Sequence, residues 1–373
     1  MKSFARYAFL AWVSVMVLLC GADGARAQTP APAAPPAAAP RPDDTPSIRI
    51  GAVLFADYTY TGSPEATDAD GNSYHPNQFN VGRSYINLIG TLNHIVNFRF
   101  TPDIARETGT GSTLNGSLTF RVKYAFGQVN LDDWMSRGSW VRFGIQQTPW
   151  VDFQEGIYRY RFQGQVFAER EGYLSSSDAG LSFRYNMPSN YGEIHVGLYN
   201  GENYNRVEVN GQKALQVRAS VRPFAKGRAA LRGLRVHGFY DADNYVKSGE
   251  RRRADVGATF EHARLNAGIE YLDTADQTSV SRASVSGRGY SLWATPRAKN
   301  GWEALLRYDH MTPDTSASNQ TRARTIVGAS YWFPHQGAVT SALLVDYDGQ
   351  TFHNFSTALP KQQRIAVHVL VNF

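Results

Sequence analysis

From Ser47 to the C-terminus, the chain is built of segments in which apolar and polar side chains alternate. The final segment shows the pattern well, with only Leu370 out of phase. Its apolar positions are Ile365, Val367, Val369, Val371 and Phe373, and its alternate positions are Arg364, Ala366, His368 and Asn372. A period of two places alternate side chains on opposite faces of a sheet. The segments are therefore predicted to be strands with one apolar and one polar face.

The connections between these segments alternate in length. We predict sixteen strands, beginning near residues 47, 78, 95, 117, 139, 178, 192, 213, 232, 251, 263, 287, 301, 321, 338 and 362. Short turns such as 92–94 and 334–337 alternate with longer polar stretches such as 62–76 and 150–177. An even strand number with short turns at one end and long loops at the other is typical of outer-membrane barrels. The predicted fold is an all-β, transmembrane, antiparallel up-and-down β-barrel of 16 strands with one long loop folded inward.

Lipid gives a physical reason for this sidedness. No backbone group can stay unpaired in hydrocarbon, so a membrane sheet must close on itself and turn its apolar face outward. In the fourth strand we expect outward Leu118, Phe120, Val122 and Tyr124, and inward Thr119, Arg121 and Lys123. In the eighth strand we expect outward Leu215, Val217, Ala219 and Val221, and inward Gln216, Arg218 and Arg222.

Composition excludes two other classes of protein. Aromatic residues make up 13% of the chain, yet its mean hydropathy is −0.38. Beyond residue 30 no apolar run is long enough for a membrane-spanning helix. The formal net charge of +6 is too small to indicate a nucleic-acid partner.

The beginning of the chain has the features of an export signal. Lys2 and Arg6 precede an apolar stretch, and Ala25-Arg26-Ala27 resembles a cleavage site. We therefore predict a signal peptide over 1–27, an Ala/Pro-rich disordered spacer over 28–46 and the barrel over 47–373. The only cysteine, Cys20, lies within the predicted signal peptide.

The long connection at about 150–177 mixes aromatic rings with charges, and we predict that it narrows the pore. Sixteen strands enclose a lumen too wide for their own side chains to fill. Arginine offers forked donors that suit oxyanions, so Arg159, Arg161 and Arg170 are the candidates for anion contact. Glu155, Glu169 and Glu171 would hold these arginines in place. The alternative is an external loop that never enters the pore.

Inward positions on the strands carry further charges. Basic candidates concentrate in the first half of the barrel: Arg99, Arg121, Lys123, Arg142, Arg184, Arg218 and Arg222. Acidic candidates concentrate in the second half: Asp255, Glu261, Glu270, Glu303, Asp309 and Asp346. Exceptions to this division include Glu193, Arg307, Arg324 and Arg364. Opposite halves face each other across a barrel, so this division predicts a transverse field. Alternatively, the inward charges only hydrate the lumen and pair with one another.

Several stretches resemble the phosphate-selective porin O and P family of outer-membrane channels. They are Phe79-Asn-Val-Gly-Arg-Ser-Tyr-Ile-Asn-Leu-Ile-Gly-Thr-Leu92 with Asn97-Phe-Arg-Phe100, Val141-Arg-Phe-Gly-Ile-Gln-Gln-Thr-Pro149, Phe167-Ala-Glu-Arg170 with Asp178-Ala-Gly180, and Gly197-Leu-Tyr-Asn-Gly201. The resemblance covers about residues 47–373. It implies a 16-stranded porin, usually a homotrimer, whose third external loop folds into the lumen. It does not extend to phosphate selectivity, because phosphate-specific members are rich in lysine and residues 150–177 contain none.

The functional prediction is an outer-membrane porin for passive diffusion of small hydrophilic solutes, with a leaning to anions such as phosphate. Outer-membrane lipids would be its surroundings, in the bacterial outer membrane. We expect no cofactor, since the histidines lack metal-binding spacing and the Gly-x-Gly at 109–111 has no helix after it. We also expect no enzyme activity. The alternatives are a non-conducting barrel that acts as an adhesin or scaffold, and a barrel-borne hydrolase.

Overall fold

A computed structural model describes residues 44–373, and the predicted signal peptide and most of the predicted spacer lie outside these residues. Sixteen wall strands form one closed barrel in which each strand pairs with its neighbours in the chain. The first strand pairs antiparallel with the last, from Val53 opposite Asn372 to Ser63 opposite Gln363, and this pairing closes the cylinder. The predicted fold class is confirmed.

The wall strands, numbered in chain order, begin within two residues of the predicted positions. They are β1 (Ser47–Ser63), β2 (Asn77–Thr91), β3 (Val96–Arg106), β4 (Leu118–Asn130), β5 (Trp140–Gln147), β6 (Ser177–Asn186), β7 (Gly192–Tyr199), β8 (Ala214–Val221), β9 (Leu234–Val246), β10 (Gly249–His262), β11 (Leu265–Asp276), β12 (Val285–Pro296), β13 (Trp302–Thr312), β14 (Thr321–Trp332), β15 (Thr340–His353) and β16 (Gln362–Asn372). The long connection after β5 contains helices α1 (Val151–Tyr158) and α2 (Phe167–Arg170).

Smaller elements lie in the other connections. Ala66–Thr67 and Ser73–Tyr74 form a two-stranded ribbon in the first long loop. Single 3₁₀ turns occupy Pro188–Asn190 and Ala229–Leu231 at the end with short turns. One connection predicted to be long is a tight turn, since β9 and β10 are joined only by residues 247–248. Within residues 44–373, no helix has the length and apolar character needed to cross a membrane.

The alternation of the strands appears directly in their burial. In β8 the inward Gln216, Arg218 and Ser220 are buried, whereas the outward Leu215 and Val221 are exposed. In β16, Ala366, His368 and Leu370 are buried between exposed valines and Ile365. An apolar exterior around a polar interior is the arrangement that a bilayer requires.

The predicted phase of β4 is wrong at Tyr124, which faces inward. Thr101 of β3 pairs with Tyr124 but the next residue, Pro102, pairs with Val122, so Lys123 has no partner of its own. This β-bulge places Lys123 and Tyr124 on the same inner face, where both are buried. A pattern of strict alternation cannot locate such an inserted residue.

Candidate functional site

The connection between β5 and β6, here called the constriction loop (residues 148–176), lies inside the barrel. Its rings are among the most buried in the molecule, with Trp150 and Tyr160 both 0% exposed. Tyr158, Tyr160 and Phe162 belong to an apolar cluster with wall residues from β12, β13, β14, β15 and β16. Leu370 belongs to the same cluster. The residue out of phase in the final strand is therefore apolar because the constriction loop, and not water, covers it.

A second apolar cluster supports the returning half of the loop. Trp150, Phe167 and Ala168 pack with Phe239, Leu272 and Met311, which face inward from β9, β11 and β13. Burial of large side chains contributes about 1.5–3 kcal/mol each, so these rings stabilise the inward position of the loop.

Arg159 and Tyr160 attach the loop to the wall opposite its origin. An Arg159 Nη1 atom lies 3.4 Å from Glu303 Oε1, and the guanidinium lies 4.2 Å from the centre of the Trp332 ring. The Tyr160 hydroxyl is 3.1 Å from Glu303 Oε2 and 2.7 Å from Ser330 Oγ. Arg159 also has a positive φ of 67° at the end of α1, where the chain turns toward this wall.

Arg161 lies within a compact ionic group on the loop. Its Nε is 2.5 Å from Glu155 Oε1, and its Nη2 is 3.7 Å from Glu169 Oε2. Burial raises the pKa of the Glu155 carboxyl, although Arg161 opposes this shift. Burial acts in the same direction on Glu169, but Arg161 and Lys123 outweigh it and its pKa is lowered. The arrangement agrees with the expectation that acidic side chains of the loop hold Arg161.

Arg170 and Glu171 contact the wall on the returning side of the loop. Arg170 Nη2 donates to Gln163 Oε1 at 2.9 Å, and its Nη1 lies 4.0 Å from Asp348 Oδ2. Burial, together with the nearby Arg307 and Arg324, lowers the pKa of Arg170. Glu171 forms an ion pair with Arg322 of β14, not with an arginine of the loop. The structure thus distributes the three predicted loop arginines over three surroundings.

The predicted wall residues also separate into groups. Lys123 is 3% exposed, and its Nζ lies 5.0 Å from the Tyr85 ring centre and 5.5 Å from that of Tyr124. Arg99 donates to Asn87 and Thr101, and Arg121 pairs with Asp103 at 3.0 Å. Arg142, Arg184 and Arg218 line one common cavity, whereas Arg222 lies 3.9 Å from Glu261.

The expected division into a basic and an acidic half is not observed. Inward positions of the second half also carry arginines, namely Arg251, Arg253, Arg307, Arg322 and Arg324, each paired with a carboxylate. Many wall charges thus pair locally, as the alternative interpretation held. Three of the expected acidic residues, Asp255, Glu270 and Asp309, are almost fully buried, so they contribute little to any field in open water.

Two water-accessible cavities adjoin the constriction loop. The first, here the outer cavity, has a volume of about 560 Å³. Its lining includes five arginines and three aspartates: Arg83, Arg161, Arg170, Arg324, Arg364, Asp57, Asp346 and Asp348. The outer cavity lies toward the mouth with the long loops. Its lining residues Arg324 and Arg364 come from the halves of β14 and β16 that meet those loops.

The second, here the inner cavity, has a volume of about 330 Å³ and lies beneath α1. Apart from Gln147, its wall residues come from the halves of β5–β10 that meet the short turns, so it faces the opposite mouth. Four arginines and three carboxylates line it: Arg142, Arg184, Arg218, Arg235, Asp152, Glu193 and Glu261.

Sequence reasoning missed Arg83, Arg235 and the inward course of a second loop. Arg235 lies between Leu234 and Val236, so a stricter count of alternation in β9 could have found it, whereas a β-bulge at Gly82 shifts the phase of β2 just before Arg83. Tyr204, in the connection between β7 and β8, donates from its hydroxyl to Asp103 Oδ2 at 3.3 Å. Its ring lies 5.2 Å from the Arg121 guanidinium. No local sequence signal indicates this contact across four strands.

No protein-family model matches the sequence, and no curated protein matches it either. Solved structures are similar in fold. An anion-selective porin from Comamonas acidovorans superposes with a TM-score of 0.61 at 12% identity, covering 88% of this chain and 100% of that one. The fold is that of the outer-membrane porins.

Two further solved structures of outer-membrane proteins are similar to this chain. A trimer form of OmpT, an outer-membrane protein of Vibrio cholerae, has a TM-score of 0.59 at 11% identity, with 88% of this chain and 100% of that chain covered. The outer-membrane channel DcaP of Acinetobacter baumannii has a TM-score of 0.57 at 11% identity, with 88% and 97% covered. At such identities the likeness establishes the fold alone.

Proposed function

We propose that this protein is a porin of the bacterial outer membrane, which forms a water-filled channel for passive diffusion of small hydrophilic solutes and favours anions. The observation that carries the proposal is the charge of the two cavities, each of which is lined by more arginines than carboxylates. A permeating ion would meet both linings. A field of one sign along a water-filled path raises the local concentration of the opposite charge.

Three inward cations strengthen this argument. Arg99, Arg142 and Arg364 have no carboxylate within ion-pairing distance among residues 44–373. Their partners are neutral: amides, hydroxyls and aromatic rings. Such cations keep their charge available to a solute, whereas a tightly paired arginine largely cancels its own field.

Two of the inward carboxyls without a cation partner, Asp255 and Glu270, lie out of the water path, whereas Asp57 and Asp152 line the cavities and are already counted there. Asp255 is 0% exposed and Glu270 is 5% exposed, beneath the part of the loop that contains Trp150. They therefore offset little of the arginine excess in the cavities.

Phosphate is included among the proposed anions, together with membership of the phosphate-selective porin O and P family. The resemblance supports the family membership, though not phosphate selectivity, through the segment that ends β5, since Thr148 and Pro149 stand where the chain leaves the wall and enters the lumen. The scarcity of lysine argues for arginine as the anion-binding group throughout.

A homotrimer embedded in outer-membrane lipid is the proposed assembly. Exposed outward tyrosines lie near the middle of β9, β11, β12, β13 and β15, at Tyr240, Tyr271, Tyr290, Tyr308 and Tyr347. Within residues 44–373, the external halves of β3–β8 carry no outward tyrosine or tryptophan. Aromatic girdles mark lipid contact, so this arc is the proposed subunit interface. The neighbouring structure described as a trimer form supports the stoichiometry.

Cross-linking in membranes should yield trimers, and a monomer alone would contradict the assembly.

Proteoliposome swelling tests the channel. Vesicles containing the protein should swell in isotonic solutions of a small neutral sugar and of small anions, and more slowly with larger sugars. A barrel that acts as an adhesin or scaffold predicts no swelling with any solute. A hydrolase predicts turnover of ester substrates by the protein in detergent, which the porin proposal does not.

A further inference from the structure

We infer that the inner cavity is a binding site for a small oxyanion, distinct from the constriction itself. This inference rests on the proposed function in placing the site on an anion pathway, but the binding site could exist in a closed barrel too. The cavity volume of about 330 Å³ accommodates an ion such as phosphate or sulfate with part of its hydration shell.

Arg142 provides the central donor. Its Nε donates to Gln128 Oε1 at 2.7 Å and its Nη1 to Gln147 Oε1 at 2.9 Å. Neither partner is charged, so the guanidinium keeps its full positive charge. Its centre lies 3.8 Å from the centre of the Trp140 ring and 4.6 Å from that of Phe126. These contacts fix the plane of the guanidinium before an anion arrives, which lowers the entropy cost of binding.

His195 supplies a second, independent indication of a ligand. Its side chain is 5% exposed, lines the cavity and packs against Trp140, with 5.0 Å between the ring centres. Its Nε2 atom is buried and has no hydrogen-bond partner among the described residues. Buried polar atoms are almost always paired, so an unpaired one at a cavity wall indicates a partner from the solution. In the tautomer with the proton on Nε2, this atom donates to an oxyanion.

Arg184 and Arg218 complete the basic wall. Both pair with Glu193, and Arg218 is further held by the Pro149 carbonyl at 2.6 Å and by stacking 3.9 Å from the Phe153 ring centre. The Nε of Arg184 is buried without a hydrogen bond to the described residues. In β-sheet register, His195 lies opposite both Arg184 and Arg218. The unused donors of Arg184 and His195 therefore lie on adjacent strands.

Asp152 opposes anion binding in the same cavity. It is the first-turn acidic residue of α1, it is exposed, and it has no cation within ion-pairing distance among residues 44–373. The other two carboxylates, Glu193 and Glu261, are paired with arginines. Asp152 therefore keeps affinity low and makes release toward the near mouth fast, as a site on a diffusion path requires.

Line broadening of the ³¹P resonance of inorganic phosphate tests the site without requiring conductance. The full-length protein in detergent should broaden the resonance in a saturable manner. Arg142→Gln should weaken binding at least tenfold, because it removes a charged donor. Asp152→Asn should tighten binding by roughly threefold to tenfold, the effect of one unit charge a few ångströms away in a partly wet cavity. A gain of binding cannot result from misfolding.

Arg232→Gln provides the matched control, since exposed Arg232 also has no carboxylate within ion-pairing distance among residues 44–373 but lies in the connection between β8 and β9, outside both cavities. This variant should bind phosphate as the wild type does. Loss of broadening in Arg364→Gln with no change in Arg142→Gln would place the ion in the outer cavity and overturn the inference. Unchanged phosphate affinity in Asp152→Asn would also overturn it. Binding without vesicle swelling would contradict the proposed function instead, and swelling without saturable binding would contradict only the inner site.

Discussion

The Arg159 guanidinium lies 3.4 Å from the Glu303 carboxylate, which joins the constriction loop to a wall strand 144 positions further along the chain. The same carboxylate is 3.1 Å from Arg297 and accepts from the Tyr160 hydroxyl at 3.1 Å. One acidic side chain thus holds two arginines and a tyrosine at the far side of the lumen. The position of the loop across the pore depends on this attachment as well as on its buried rings.

Glu303→Gln should therefore change two properties at once. It removes the counter-charge of Arg159 and Arg297, so anion preference should rise, and it weakens an attachment in which hydrogen bonds to a charged group contribute about 1.5–3 kcal/mol each. Single-channel recordings should show more frequent current fluctuations. Tyr160→Phe is the matched variant, since it removes a hydroxyl but no charge. It should increase fluctuations while leaving the selectivity unchanged, and equal selectivity shifts in both variants would refute the electrostatic part.

Arg364 and Arg307 should behave in opposite ways when neutralised. Arg364 lines the outer cavity without a carboxylate partner, so Arg364→Gln should reduce the chloride-to-potassium permeability ratio at little cost in stability. Arg307 donates to both oxygens of Asp309 at 2.8 and 2.7 Å and to the Gln165 carbonyl at 2.8 Å. Arg307→Gln should leave an unpaired buried carboxylate and lower the free energy of unfolding by about 3–5 kcal/mol. Reversal potentials would measure the change in selectivity, and urea unfolding in lipid would measure the change in stability. A larger selectivity change in Arg307→Gln than in Arg364→Gln would contradict this expectation.

Anion preference should decline as pH rises, because burial raises the pKa of Glu155 above its ordinary value of 4.5. The folded protein then binds a proton that the unfolded chain has already lost, so this group also makes stability fall as pH rises above 4.5. On ionisation, Glu155 adds a negative charge to the constriction. Zero-current potentials between pH 4.5 and 8 would measure the decline, and Glu155→Gln should flatten it. A wild-type profile that Glu155→Gln reproduces would show that another group titrates.

Strand sidedness can be tested at two outward positions of β15. Val345 lies midway along the strand and is 52% exposed, whereas Thr351 lies near its external end. An arginine at the bilayer midplane costs about 2–4 kcal/mol, and near the interface about 0–1 kcal/mol. Val345→Arg should therefore lower the free energy of unfolding in lipid vesicles much more than Thr351→Arg does. Equal losses would mean that this face of β15 does not contact hydrocarbon.

The sequence was sufficient for the barrel because its evidence is local and repeated. Each wall strand carries its own period-two pattern, and the closing of β1 on β16 follows from the need to pair every backbone group. The bulge at Lys123 could not be predicted from this pattern. It changes the direction in which the Tyr124 side chain points, but the amino-acid composition of β4 carries no sign of it.

The site was less predictable than the fold. The rings and charges of residues 150–177 indicated an inward loop, but only the structure shows that this loop covers Leu370. Which charges pair, however, depends on contacts between distant segments, such as Tyr204 with Asp103 and Glu171 with Arg322. For the same reason the expected basic and acidic halves do not exist: alternation shows that a charge faces inward but not which charge lies beside it.

The arginine excess of the two cavities should make the channel favour anions. The zero-current potential across a tenfold gradient of potassium chloride, recorded from the wild-type protein in a planar bilayer at neutral pH, would measure this preference. We expect stable current steps and a potential whose sign shows chloride more permeant than potassium. A potential of the opposite sign, or one that shows equal permeability, would contradict it.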